Sequence, residues 1–145
     1  MNKQRVLTDS GFWIALYEPE KEAERSELVS DIIDMIADAD ICIPWPTMYE
    51  FVNSRLGRRK DRLNQFKKIL ENPNTFKIDD APYKNIAIEK LFGFNRGYIG
   101  DISLVDEVIK GILTDTSLNI NYFVSFDEAL ANFARSQGIN VDLNR

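Results

Sequence analysis

Three short apolar runs in this chain each hand over, within a few residues, to an acidic residue: Val6-Leu7 to Asp9, Ile41-Cys42-Ile43 to Glu50, and Tyr122-Phe123-Val124 to Asp127. A fourth acid, Asp106, opens an amphipathic stretch. If the runs are neighbouring parallel strands, their acids converge at one edge of a sheet, which is where open α/β folds place ligands. Carboxylates gathered there without basic partners repel by roughly 4 kcal/mol per pair at about 4 Å and an effective dielectric of about 20. A cation is expected among them, and a divalent metal is the natural candidate.

Between these runs the periodicity is helical. A strand over 5–9 ends at Thr8-Asp9-Ser10-Gly11, a turn and helix-start cluster before a short helix over 12–16. A helix over about 21–39 follows, with Leu28, Ile32, Met35 and Ile36 at three- and four-residue steps, and leads to a strand over 41–44. Thr47 and Glu50 have the spacing of a capping box opening a helix over 48–55, which Gly57 ends or bends. The next helix carries Leu63, Phe66, Ile69 and Leu70 on its apolar face and stops at Asn72-Pro73-Asn74, before a strand over 75–78. A helix over 82–92, a Gly-rich connection over 93–100 and a helix over 103–113 with a Ser103/Asp106 cap come next. The chain ends as a strand over 121–126, a helix over 127–137 closed by Gly138, and an edge-like strand over 139–143. This alternation predicts an α/β fold in three layers, α/β/α, around a mainly parallel sheet of four to five strands.

At 145 residues the chain fits a single domain spanning 1–145, able to bury one core without staples. No apolar run reaches the roughly 20 residues needed to span a bilayer, and the start resembles no signal region, so a cytoplasmic, non-membrane protein is expected. Histidine is absent and Cys42 is the one cysteine, which excludes thiolate or imidazole zinc sites, Ser-His and Cys-His nucleophile pairs, and two-histidine ribonuclease chemistry. Carboxylates, hydroxyls, Lys and Arg are left, and hard oxygen ligands suit Mg²⁺ or Mn²⁺. Cys42, between two isoleucines, reads as a buried filler.

The net charge of -5 argues against a broad basic surface, yet the cations are concentrated. Arg55, Arg58, Arg59, Lys60, Arg62, Lys67 and Lys68 face only Asp61 between 55 and 68. Arg55, Arg58, Arg59 and Lys60, with Arg96 in the Gly-rich connection, are the candidates for positioning a phosphate backbone. Their bland alternative is a solvated helix face. For the acids it is helix capping, since helix starts favour Asp and Glu; Asp9, between strand and helix, is the least explained that way. Trp13, Trp45, Phe51 and Phe66 are expected to pack in the core rather than stack on bases.

Leu7-Thr8-Asp9-Ser10-Gly11-Phe12-Trp13-Ile14-Ala15-Leu16, Ile43-Pro44-Trp45-Pro46-Thr47-Met48-Tyr49-Glu50-Phe51, Ser103-Leu104-Val105-Asp106 and Val124-Ser125-Phe126-Asp127, in that order and spacing, resemble the PIN-domain family of ribonucleases. The resemblance covers nearly the whole chain. It implies a parallel-sheet nuclease fold with an acidic cluster that binds Mg²⁺ or Mn²⁺ and hydrolyses RNA. Many small members are toxins of bacterial toxin–antitoxin pairs, which implies an antitoxin partner and a homodimer. Carried over by residue, Asp9 is the central metal ligand, Glu50 and Asp106 its partners and Asp127 the fourth acid; Ser125 stands where the family often has a hydroxyl, and Ser10 touches the site. Two departures stand out: Asp101 precedes Asp106 closely enough to exchange roles with it, and Glu128-Ala129-Leu130 follows Asp127 where many members have an aromatic residue.

With no histidine as base, the expected nucleophile is water activated by the ion, giving 5′-phosphate and 3′-hydroxyl ends. The rivals are a catalytically silent PIN-like interaction module, a nuclease of RNA processing that is no toxin, and a receiver-type phosphoacceptor. The last needs an acidic pair after its first strand, where this chain has Asp9 alone.

Overall fold

A computed structural model describes residues 4–17, 26–92 and 103–141. Its strands are β1 (Arg5–Thr8), β2 (Asp40–Pro44), β3 (Thr75–Ile78) and β4 (Tyr122–Val124). The helices are α1 (Ser10–Tyr17), α2 (Ser26–Ile36), α3 (Trp45–Asn53), α4 (Lys60–Glu71), α5 (Ala81–Leu91), α6 (Leu104–Thr114) and α7 (Glu128–Ser136), with a 3-10 turn over Arg55–Arg58. All strand pairs are parallel, in the order β3-β2-β1-β4.

Strand alternation splits the core in two. Val6, Ile43 and Val124 join Phe12, Trp13, Val29, Ile32, Phe51 and Phe66 on one face of the sheet, under α1 to α4. Leu7, Cys42 and Phe123 turn to the other and meet Ala87, Val108, Ile109, Ile112, Leu130 and Ala134 of α5, α6 and α7. The fold is therefore α/β, three layers with a central four-stranded parallel sheet, as the alternating pattern requires. Among the described residues no helix is long and apolar enough to cross a membrane.

Three expectations are corrected. The edge strand over 139–143 reduces, among the described residues, to one parallel bridge from Asn140 to Tyr122. The Thr47/Glu50 capping box does not form: α3 starts three residues earlier, with Pro46 in its first turn and Pro44 at its cap position. Proline lacks an N–H and pre-sets φ, so it opens a helix more readily than the downstream threonine. Trp45, expected in the core, is 38% exposed, while Trp13, Phe51 and Phe66 are buried. The Gly-rich connection and part of the helix over 21–39 lie outside the described residues.

Candidate functional site

In the order β3-β2-β1-β4 the chain leaves β1 for one side of the sheet and later crosses back to its other side at β4. A crevice at the carboxyl ends of β1 and β4 is the ligand position such a reversal creates. Asp9 stands directly after β1, Ser125 and Asp127 directly after β4.

A buried network fixes the end of β1. The Thr8 hydroxyl donates to the Cys42 carbonyl (3.2 Å) and accepts from the Trp13 indole N–H (2.9 Å). Thr47 in α3 donates to the Thr8 carbonyl (3.3 Å). Thr8 and Thr47 are both wholly buried, so these bonds form in a low-dielectric interior and tie α1 and α3 to the strand that presents Asp9. Thr8 carries no sequence signal for this role, and Thr47 has the spacing of a cap it does not form; a hydroxyl bonded to a distant carbonyl leaves no local signature.

Above this network the carboxyls are joined by serines. Asp9 accepts from the Ser10 backbone N–H at Oδ1 (2.8 Å) and from the Ser125 hydroxyl at Oδ2 (3.0 Å). Ser10 donates its own hydroxyl to Glu50 Oε1 (2.9 Å), bridging the helix after β1 to the helix after β2. The Ser125 oxygen in turn accepts from the Asp127 N–H (3.0 Å). Ser125 is thus a link between two acids, not a helix cap; Asp127 caps α7 by accepting from the Leu130 N–H (3.1 Å). Ser103 caps α6 as expected, accepting from the Asp106 N–H (3.0 Å).

Burial pushes the Asp9 carboxyl up, the bonds from Ser10 and Ser125 oppose that, and the charges of Asp106 and Asp127 add to it. Glu50 is raised by desolvation, against its bond from Ser10, with Asp9 and Asp106 contributing repulsion. Asp106 is raised by desolvation and then by Asp127, while Ser103 and Lys110 draw it down and Glu107 draws it up. Asp9 and Asp106 therefore sit in the field of Asp127, and Glu50 in that of Asp9 and Asp106. As their side chains stand, however, no three acidic or thiol groups among the described residues are close enough to hold a metal ion. Ion pairs join Asp61 to Arg59 and Arg62, Asp80 to Lys84 and Glu107 to Lys110. Glu107, buried beside Asp106, was not foreseen; its pairing with Lys110 at 3.8 Å accounts for it.

The basic candidates follow the helix that carries Glu50. The 3-10 turn Arg55–Arg58 follows α3, and Arg59 and Lys60 begin α4, which returns the chain from the carboxyl edge of β2 to the amino end of β3. Arg59 pairs with Asp61 at 3.6 Å. Asp101 and Arg96 lie outside the described residues.

No family model matches the chain, and no curated protein matches it in sequence.

Proposed function

We propose that this chain is a PIN-like, Mg²⁺- or Mn²⁺-dependent endoribonuclease, with Asp9 as central ligand, Glu50 and Asp106 beside it and Asp127 as the fourth acid. The observation that carries this reading is the pair of serine links, Ser10 to Glu50 and Ser125 between Asp9 and Asp127, at the switch point of a parallel sheet, where burial first and neighbouring acids second raise Asp9, Glu50 and Asp106. The donor set is all oxygen and fits a hard divalent cation. Drawing three carboxylates onto one ion requires side-chain rotation, which exposed Asp127 and half-buried Asp106 have room for. A bound ion would polarise a phosphodiester and lower the pKa of an attacking water. The chain's own part is to hold Asp9 and Glu50 in register through Ser10, and Asp9 and the α7 start through Ser125.

The test is thermal melting with and without Mn²⁺, paired with RNA cleavage and end analysis. The wild type gains melting temperature with Mn²⁺ by mass action and releases 5′-phosphate ends, and Asp9→Asn does neither. Cyclic-phosphate ends from the wild type reject the mechanism. One observation favours a silent interaction module: Asp127 and Ser103 already serve as caps, and the acids are not drawn together. A silent module shows no Mn²⁺-dependent shift.

A role as the toxin of a toxin–antitoxin pair belongs to the same proposal. Expression then arrests growth and Asp9→Asn relieves the arrest; a nuclease harmless to cells is instead an RNA-processing enzyme. An antitoxin and a homodimer are the partners this reading carries, checked by co-purification and sedimentation.

A further inference from the structure

Helix α3 has a face that the core does not use. Pro46, Thr47, Met48 and Phe51 are buried, while Trp45, Tyr49 and Val52, at steps of four and three, are 38%, 51% and 53% exposed. The rings of Trp45 and Tyr49 lie 5.7 Å apart and inclined by 39°. Pro44 and Pro46 flank Trp45 and restrict its backbone, so the pair stands on a rigid base at the carboxyl edge, on the helix that carries Glu50. The stripe runs into a basic turn: Gly57 packs so closely on Val52 that a Cβ there would lie 1.7 Å from the Val52 carbonyl oxygen, and exposed Arg58 follows directly.

We propose that Trp45 and Tyr49 form a stacking platform for an unpaired base of single-stranded RNA, next to the scissile phosphate, with the backbone passing toward Arg58 and Lys60. The inference rests on the nuclease reading above and names its substrate class. An aromatic face accepts any base, and alanine substitution of such a platform weakens binding about five-fold or more per base. The chain needs that contribution, because a net charge of -5 and the carboxylates along the sheet edge repel a phosphate backbone as a whole. Stacking on an aromatic ring survives salt that screens phosphate contacts.

Trp45 supplies its own probe, since the second tryptophan, Trp13, is fully buried. Titrating the full chain, in EDTA to prevent cleavage, with a fluorescein-free oligouridylate quenches tryptophan emission. Trp45→Phe keeps the affinity and abolishes the quench. Tyr49→Ala and Trp45→Ala weaken binding at least about five-fold and raise KM with kcat held, while Tyr49→Phe restores both. An abasic sugar scanned along the strand weakens wild-type binding at one or two positions, and Tyr49→Ala is insensitive to it there. Wild-type RNA binding unchanged in both alanine variants overturns the platform and leaves the nuclease reading standing. A wild type that neither binds nor cleaves RNA removes both. Loss of RNA binding accompanied by a dimer-to-monomer change in sedimentation assigns the face to a second copy of the chain and overturns the platform as well.

Discussion

Thr8 shows how much one buried hydroxyl can organise. Its oxygen serves the Trp13 indole and the Cys42 carbonyl together, and its backbone carbonyl receives Thr47. Thr8→Val preserves shape and leaves the Cys42 carbonyl its ladder bond, but strands the buried Trp13 indole N–H, which costs about 1–3 kcal/mol when left without a partner. A loss of about 2 kcal/mol in urea unfolding is expected, with Thr8→Ser nearly neutral; equal stability of Val and wild type removes the network's importance. Gly57 is constrained by space instead. Its neighbour is backbone, the Val52 carbonyl, so Gly57→Ala has to move α3 or the following turn and costs about 1–3 kcal/mol by the same measurement. Neither requirement was legible in sequence. The T-x-x-E pattern pointed to a local cap at Thr47, and Gly57 read as a helix end because a close approach between residues five apart leaves no periodicity. The place of Asp9 between β1 and α1 was legible, because an apolar run followed by a turn and helix-start cluster is a local signal.

Elements were clearer than their boundaries. The Leu63, Phe66, Ile69 and Leu70 stripe gave α4, and Ser103 with Asp106 gave the start of α6, because both signals are local. The start of α3 was missed because its proline rule and its capping-box rule competed within four residues, and the proline won. Trp45 was missed for a related reason: moving the helix start changes which residues face the core, so an aromatic read as buried came out on the open side. The same locality makes the α6 cap testable. Ser103→Ala removes the acceptor for the Asp106 N–H and is expected to cost about 1 kcal/mol. It also frees the helix start that carries Asp106, so the Mn²⁺-induced gain in melting temperature shrinks. A Ser103→Ala variant that loses stability but keeps the full Mn²⁺ response separates Asp106 from the metal.

At the scale of the whole molecule, the acidic edge sets a dependence of stability on pH. Asp9, Glu50 and Asp106 have folded-state pKa values above their ordinary 3.8, 4.5 and 3.8. Over the interval from those values up to the raised ones, the folded chain holds protons that the unfolded chain has released, so stability falls as pH rises through it. Asp115 has the opposite sign: hydrogen bonds from Ser117 and Tyr83 lower it, so its contribution is present above 3.8 and lost as pH falls through the lowered value. Asp9→Asn isolates the first effect, since it removes one raised group and one repelling charge while Asp115 stays common to both proteins. In EDTA, the melting temperature of Asp9→Asn relative to wild type therefore climbs as pH rises from 3.8 through the raised value of Asp9, ending a few degrees higher. Excess Mn²⁺ at neutral pH closes that gap from the wild-type side, by about 2.7 kcal/mol when the free ion is a hundred-fold above its dissociation constant. Parallel melting curves for the two proteins across this pH range, with no response to Mn²⁺, would mean that the Asp9 carboxyl is neither held up by burial nor repelled by its neighbours. The proposed metal site would then have no basis, because the burial and repulsion that make the metal-free edge sensitive to pH are the costs an ion would offset.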